Sequence, residues 1–294
     1  MVNYIDDYLG YLMFERRLPK NSYEAYIRDI KGYVEYLNDK LKIDEIKVVK
    51  IKDIVSYIEF LNDKGLSATS VARKLTAIKG FHGYLLLRNL ISDDVSLNVE
   101  RPKLRKKVPN VLTVEEVDQL LDIELNTPFD YRNKAMLELL YGTGFRISEL
   151  LDLRISDVDF EDCIIRCFGK GSKERIVPIG EYILDSLNAY LIMRGQLEKN
   201  KRCEYLFLSN NGNRLDRTNF FRILKKLLKI RGISKDISPH GLRHSFATHM
   251  IEYGADLKVV QDLMGHADIA TTRIYTHISN SKVRNDYVES HPRS

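Results

Sequence analysis

The chain has 294 residues, an ordinary apolar and aromatic content, and a formal net charge of +5. This length suits two domains, each able to bury a core without disulfides or metals. The three cysteines are too few for a disulfide framework, and no apolar run is long enough to span a membrane, so we expect a cytoplasmic protein without membrane contacts. The weak positive charge does not by itself identify a partner.

The first 97 residues predict a helical domain. Apolar residues recur at helical spacing in four segments, at about 5–13, 23–37, 54–61 and 67–85. We expect Ser22 to cap the second helix and Gly65 to end the third. The fourth helix carries basic side chains away from its apolar face, and these are Arg73, Lys74 and Lys79.

Residues 98–112 have the composition of a linker. Two prolines accompany a run of basic residues with no acid between them, namely Arg101, Lys103, Arg105, Lys106 and Lys107. Proline and dense like charge disfavour packing against a core. The segment is either a solvated connection or a strap that lies on a polyanion such as DNA.

Residues 113–281 predict a second domain, which contains the only β pattern that we find. A capping box at Thr113 and Glu116 begins a helix, and 131–141 is a strongly apolar helix. Two β-prone runs, 164–168 and 175–179, flank a glycine-rich turn and predict a hairpin. Helices resume at about residue 182 and continue toward the end of the chain.

Four islands of polar residues stand where helix packing does not need them. Their members are Arg146 and Glu149, then Lys170, then His240 and Arg243, and finally His266 with Tyr275. Arg146 follows a glycine break and precedes a helix, which suits a phosphate. His240 and Arg243 are three apart on a helix, so both can reach one ligand. Taken singly, each island could equally be a solvated surface feature.

Three histidines, His240, His244 and His249, raise the question of a metal. The last spacing of five residues does not keep one helix face, and the cysteines lack zinc-site spacing. The sequence therefore predicts no metal site.

Taken together, the islands resemble the signature of the tyrosine recombinases, or phage integrase family, and most closely its cellular Xer branch. The matching sequence segments are GTGFRISEL, GKGSK, HGLRHSFAT, LMGH and TTRIY. The resemblance covers the whole chain. It implies a mainly α fold with a small β-sheet in the catalytic domain, arranged as a two-domain, C-shaped DNA clamp. Residues 1–97 would be a SAM-like core-binding domain, 98–112 the linker, 113–281 the catalytic domain and 282–294 a tail that docks on a neighbouring subunit.

The resemblance also implies a reaction that needs neither cofactor nor metal. DNA would be cleaved and rejoined through a 3′-phosphotyrosyl link to Tyr275 and a Holliday junction. Arg146 and Arg243 would neutralise the phosphate, and His240 and His266 would donate hydrogen bonds to it. Lys170 would protonate the leaving 5′-oxygen, and a seventh residue, Glu149, would orient the cluster.

Partners follow from the same resemblance. We expect a double-stranded DNA site and a homo- or hetero-tetramer on synapsed DNA, and we leave open an activating host protein. The DNA contacts expected in the first domain and the linker are Thr69, Ser70, Arg73, Lys74 and Lys79, with Arg101, Lys103, Arg105, Lys106 and Lys107. Resolution of chromosome dimers is the favoured role. A mobile-element integrase, a type IB topoisomerase and a catalytically silent DNA-binding protein are the alternatives.

Overall fold

The computed structural model describes residues 2–102, 110–169, 174–199, 203–265 and 287–293. The chain divides into two compact units, Met1–Lys107 and Val108–Ser294. Within the described ranges, no helix is both long and apolar enough to cross a lipid bilayer.

Over residues 2–102, the first unit is a bundle of four α-helices. They are α1 (Val2–Gly10), α2 (Lys20–Leu41), α3 (Ile51–Asp63) and α4 (Ala68–Leu87). Helix α4 packs against the other three, and its buried Phe81 lies edge-on to the ring of Tyr8, with 5.3 Å between their centroids. Ser67 caps α4 by accepting a hydrogen bond from the backbone N–H of Ser70 at 3.3 Å.

The second helix begins earlier than the sequence predicts. Pro19 stands at its N-cap and Lys20 is its first residue, so Ser22 lies inside the first turn. Its backbone N–H donates to the Pro19 carbonyl at 2.8 Å. The prediction of Ser22 as the cap is therefore wrong, because an extended proline already fixes the chain direction at the break.

Among its described residues, the second unit has seven further α-helices of six residues or more and one small sheet. The helices are α5 (Val114–Leu121), α6 (Pro128–Thr143), α7 (Ile147–Asp152), α8 (Glu181–Arg194), α9 (Arg217–Ile230), α10 (Pro239–Glu252) and α11 (Leu257–Met264). Helix α6 is buried along most of its length and packs against α8 and α10. The capping box at Thr113 is present, with Thr113 N–H donating to the Glu116 carboxylate at 2.8 Å.

The sheet of this unit has three antiparallel strands in the order β1-β2-β3. They are β1 (Val158–Asp159), β2 (Ile164–Phe168) and β3 (Glu174–Pro178). The predicted hairpin is formed by β2 and β3, where Cys167 stands opposite Arg175. The predicted fold class, mainly α with a small sheet in the second domain, is confirmed.

Candidate active site

Arg146 stands where α6 gives way to α7. Gly144 ends α6 in the left-handed conformation, with φ of 60°, and Arg146 takes the N-cap position of α7. The backbone N–H of Arg146 donates to Glu149 Oε2 at 2.8 Å, and its Nη1 donates to Glu149 Oε1 at 2.8 Å. The Arg146 side chain keeps 42% of its surface exposed, so it can still meet a ligand from solvent.

Arg243 lies deeper, on α10. Its Nη1 donates to the Gly144 carbonyl at 2.7 Å and its Nη2 to the Met264 carbonyl at 2.6 Å. Burial first, and then the charge of Arg146, lowers the pKa of Arg243 to about 10, which leaves the guanidinium charged at neutral pH. The two arginines predicted from separate islands therefore approach the same place.

Glu149 links the arginines to one another. It is almost fully buried, and burial alone would raise its pKa. The hydrogen bonds and charge of Arg175, with the bonds from Arg146, outweigh burial and lower the pKa of Glu149 below its ordinary value. The ionised carboxylate also lies 3.9 Å from Nη1 of Arg243. Glu149 is thus an anion shared by several cations.

Arg175 is a member of this cluster that the sequence analysis did not single out. From β3 its Nη2 and Nη1 donate to the two Glu149 oxygens at 2.8 and 3.2 Å, and its Nε donates to the Leu263 carbonyl at 3.0 Å. The alternation of side chains between the two faces of β3 could have identified Arg175. Arg175 falls on the same face as the buried Val177, and a charge on the buried face of a strand needs a partner.

His240 and His244 lie one helical turn apart, with 2.8 Å between their Nε2 atoms. One ring must donate this hydrogen bond and the other accept it. Burial first, then His244, Arg243 and Arg146, lowers the pKa of His240 below 6.5. At neutral pH His240 is therefore uncharged and able to accept a proton.

His249 belongs to the packed interior instead. Its Nε2 lies 2.9 Å from the Leu112 carbonyl, which can only accept, so Nε2 carries the proton. Nδ1 then accepts from the Tyr141 hydroxyl at 2.7 Å. Both ring nitrogens are engaged, so this histidine fastens the chain at residue 112 to α6 and α10.

The structure thus brings four of the predicted site residues together. They are Arg146, Glu149, His240 and Arg243, drawn from the α6–α7 junction and from α10. The predicted Lys170, His266 and Tyr275 lie outside the described residues.

Comparison with known proteins agrees with this geometry. Residues 110–282 match the phage integrase family, and residues 5–89 match the N-terminal SAM-like domain of phage integrases. The chain belongs to the phage integrase family. Because the full-length relatives carry the name tyrosine recombinase XerD, it is a tyrosine recombinase of the Xer type.

The relatives of this integrase-family chain cover nearly all of it. The tyrosine recombinase XerD of Oceanobacillus iheyensis is 43% identical over 292 residues, which are 99% of this chain and 98% of that protein. That of Halalkalibacterium halodurans is 42% identical over 294 residues, with coverage of 99% and 98%.

Solved structures of the family also resemble this chain. The XerA recombinase shares 33% identity, with 99% of each chain covered and a TM-score of 0.51. The XerH recombinase bound to palindromic difH substrate in a post-cleavage complex shares 26% identity. The match covers 92% of this chain and 80% of that one, with a TM-score of 0.69.

The basic residues predicted as DNA contacts on α4 have protein partners. Arg73 and Lys74 both pair with Asp29, which is almost fully buried on α2, and Lys74 Nζ lies 3.0 Å from its Oδ1. Arg73 remains about half exposed. Lys79 Nζ donates to the carbonyls of Leu97 and Val99 at 3.1 and 2.8 Å. Lys79 therefore ties the end of the first unit to α4.

The remaining predicted contacts divide between surface and undescribed positions. Thr69 and Arg101 are exposed and Ser70 is partly exposed, whereas Lys103, Arg105, Lys106 and Lys107 lie outside the described residues. Helix α9 adds a basic stripe that the sequence analysis missed. Arg222, Lys226 and Lys229 are exposed at spacings of four and three, so they share one face.

Residues 287–293 of the predicted tail pack on the second unit of their own chain. The buried His291 ring lies between the aromatic rings of Tyr141, Phe246 and Tyr287, at centroid distances of 5.1 to 5.6 Å. Arg293 donates to both oxygens of the buried Glu138, at 3.0 and 2.7 Å, and to Asp118 at 2.7 Å. Residues 282–286 lie outside the described residues.

Docking of this tail should depend on pH through His291. Burial lowers the pKa of the docked imidazole to about 3, whereas a released imidazole titrates near 6.5. Docking is therefore fully favourable above pH 6.5 and weakens as the pH falls below it, because only the released form gains the proton. We expect a loss of about 2 kcal/mol between about pH 7.5 and about pH 5.

Hydrogen exchange of the C-terminal peptide across this pH range measures the effect. After correction for the intrinsic exchange rate, protection should fall toward pH 5. A His291→Gln variant cannot titrate, and its protection should stay level. Equal pH dependence in both proteins would contradict the role of His291.

Proposed function

We propose that this chain is a site-specific DNA recombinase that resolves chromosome dimers. The observation that carries the proposal is the approach of Arg146 and Arg243, which bind the adjacent carbonyls of Gly265 and Met264. Two guanidinium groups held side by side match the two non-bridging oxygens of a phosphodiester. The match to XerD proteins over the full chain supports the cellular role. A chromosomal substrate would place the protein in the cytoplasm.

In the proposed cleavage step, the Tyr275 phenol oxygen forms a bond to the scissile phosphorus, and the bond from phosphorus to the 5′-oxygen breaks. His240, uncharged at neutral pH, accepts the phenol proton. Lys170 gives a proton to the leaving 5′-oxygen, which becomes a free hydroxyl. Arg146, Arg243 and His266 stabilise the charge that accumulates on the phosphorane.

Religation is the reverse of this step on a new strand. The 5′-hydroxyl of the partner duplex attacks the 3′-phosphotyrosyl ester, and Tyr275 leaves as a phenol. The phosphotyrosyl ester conserves the energy of the phosphodiester bond that was broken, so no nucleoside triphosphate is consumed. The enzyme therefore needs two duplexes in register, which suits a homo- or hetero-tetramer on synapsed DNA.

The tail, residues 282–294, is the proposed link between subunits of that tetramer. It would leave the surface described above and bind the equivalent surface of a neighbour. The buried pair of Arg293 and Glu138 must open for this exchange, and the same contacts would form again in the neighbour. An activating host protein would act by favouring one of the two docked states.

DNA binding itself is proposed to use both units. Arg73 and Lys74, with Thr69 and Ser70 beside them, would contact backbone from α4, and the linker residues 101–107 would lie on phosphate. The stripe on α9 would add contacts from the second unit. Each phosphate contact releases condensed counterions, so affinity should fall steeply with salt.

Cleavage of a nicked suicide substrate tests the function. The wild-type protein, incubated in EDTA with nicked duplexes carrying candidate target sites, should form a covalent protein–DNA complex. Tyr275→Phe should form none, because phenylalanine has no nucleophilic oxygen. A covalent band that persists in Tyr275→Phe would show that another residue is the nucleophile.

Assays of the same protein on other DNA substrates separate the alternatives. Relaxation of supercoiled plasmid without recombinant products would favour a type IB topoisomerase. Site-specific binding without any covalent complex would favour a silent DNA-binding protein. Efficient joining of a circular element to unrelated target DNA would favour a mobile-element integrase.

A further inference from the structure

Three arginines bind three successive carbonyls at the C-terminal end of α11. Arg175 Nε donates to Leu263 at 3.0 Å, Arg243 Nη2 to Met264 at 2.6 Å, and Arg146 Nη2 to Gly265 at 3.1 Å. The last carbonyls of a helix have no partner within the helix and carry partial negative charge. The arginines supply those partners, and they fix the end of α11 immediately before His266 in the chain.

Arg175 differs from the other two arginines in its geometry. Its side chain is only 14% exposed, and its guanidinium lies over the ring of Phe145, 5.2 Å from the centroid. A Cβ added to Gly265 would come within 2.9 Å of its Nη1, so the backbone approaches it closely. The Nε, Nη1 and Nη2 atoms of Arg175 each donate to a protein acceptor, and Glu149 accepts two of these hydrogen bonds.

The charges of the cluster indicate what Arg175 contributes to the site. Arg146, Arg175 and Arg243 contribute three positive charges and Glu149 one negative charge. The formal sum is +2, and Glu149 is shared between Arg146 and Arg175, so the bonds from Arg175 to both of its oxygens reduce how much of the charge on Arg146 and Arg243 the carboxylate neutralises. Without Arg175, the carboxylate would act on Arg146 and Arg243 alone, and the sum would fall to +1.

We infer that Arg175 is a positioning residue for strand cleavage, which balances Glu149 so that Arg146 and Arg243 keep their charge for the DNA phosphate. It also anchors the end of α11 to β3, the strand that follows Lys170 in the chain. This inference rests on the proposed function of the site. It assigns no contact between Arg175 and DNA.

A double-mutant cycle tests the inference. Single-turnover cleavage of the nicked substrate would be measured for wild type, Arg175→Gln, Glu149→Gln and the double variant. Arg175→Gln should slow covalent complex formation by about 100-fold, with a change in DNA affinity of less than about threefold. The double variant should cleave at least about tenfold faster than Arg175→Gln, because removal of the carboxylate restores the sum of +2.

Two further variants distinguish a loss of positioning from a loss of folding. Arg175→Lys keeps the charge but cannot bridge Glu149 and Leu263, so we expect it to cleave about tenfold slower than wild type. Arg154→Gln removes an exposed arginine paired with Glu204 at 3.1 Å in the same unit, and it should cleave at the wild-type rate. The melting temperature of each variant shows which rates come from folded protein.

The outcomes are distinct. Wild-type cleavage by both Arg175→Gln and Arg175→Lys would overturn the inference and leave the proposed function intact. A double variant no faster than Arg175→Gln would also overturn it, because a purely structural arginine gains nothing from loss of Glu149. Absence of a covalent complex from wild type with every DNA would instead overturn the proposed function.

Discussion

Replacement of Arg243 by glutamine is expected to slow formation of the covalent DNA complex by about a thousandfold. Arg243 is the most buried of the three described arginines of the site, and its Nη groups already donate to the carbonyls of Gly144 and Met264. The amide loses both the positive charge and the fixed direction of the donors. The rate would be measured in single turnover on a nicked substrate, at a temperature below the melting point of the variant.

Arg243→Lys distinguishes charge from geometry. Lysine restores the charge but concentrates it at one atom, which cannot bind two carbonyls and a phosphate together. We expect this variant to remain about a hundredfold slower than wild type. A lysine variant with the wild-type rate would mean that a point charge is enough and that the fork of hydrogen bonds is irrelevant to cleavage.

Gly144→Ala is expected to destabilise the second unit by about 3 kcal/mol. Gly144 has a φ of 60°, and an added Cβ would lie 2.4 Å from the ring of Phe246. About 1 kcal/mol comes from the left-handed backbone, and the rest from displacement of the ring. Thermal unfolding should show a lower melting temperature by roughly 6–12 °C.

Gly232→Ala is the matched control. Its φ of 69° imposes the same backbone cost, but an added Cβ meets nothing within 4 Å. We expect a loss of about 1 kcal/mol. Equal destabilisation by the two substitutions would show that Phe246 moves aside freely. Such a result would contradict tight packing of the Phe246 ring against Gly144.

The spacing of apolar residues and the positions of glycine, proline and capping residues predict much of this fold from the sequence. The four N-terminal helices follow the spacing of apolar residues, and the hairpin follows two β-prone runs around a glycine-rich turn. The box at Thr113 and Glu116 is local, because both partners lie within one turn of chain. The prediction of Ser22 as a cap was wrong although the competing residue is just as local. A proline three residues earlier competes for the same start, and local rules do not rank the two.

The partners of buried charges are harder to predict. Arg175 reaches Glu149 and Leu263 across 26 and 88 residues of sequence, and Lys79 reaches Leu97 and Val99 through a turn of the chain. A basic residue in the sequence looks the same whether it ends in solvent, on phosphate or on a carbonyl. Only the folded structure shows that the Lys79 side chain donates to backbone carbonyls of the same chain, those of Leu97 and Val99.

The hydrogen bonds of Lys79 also limit the length of the chain that connects the two units. Because Leu97 and Val99 are held to α4 by Lys79, about ten peptide steps, from residue 100 to residue 110, separate this anchor from the first described residue of the second unit. An extended chain of that length spans at most about 35 Å. Shortening this stretch by five residues would halve that upper limit to about 17 Å. Both units are proposed to contact DNA, so insertions in this stretch should be tolerated better than deletions.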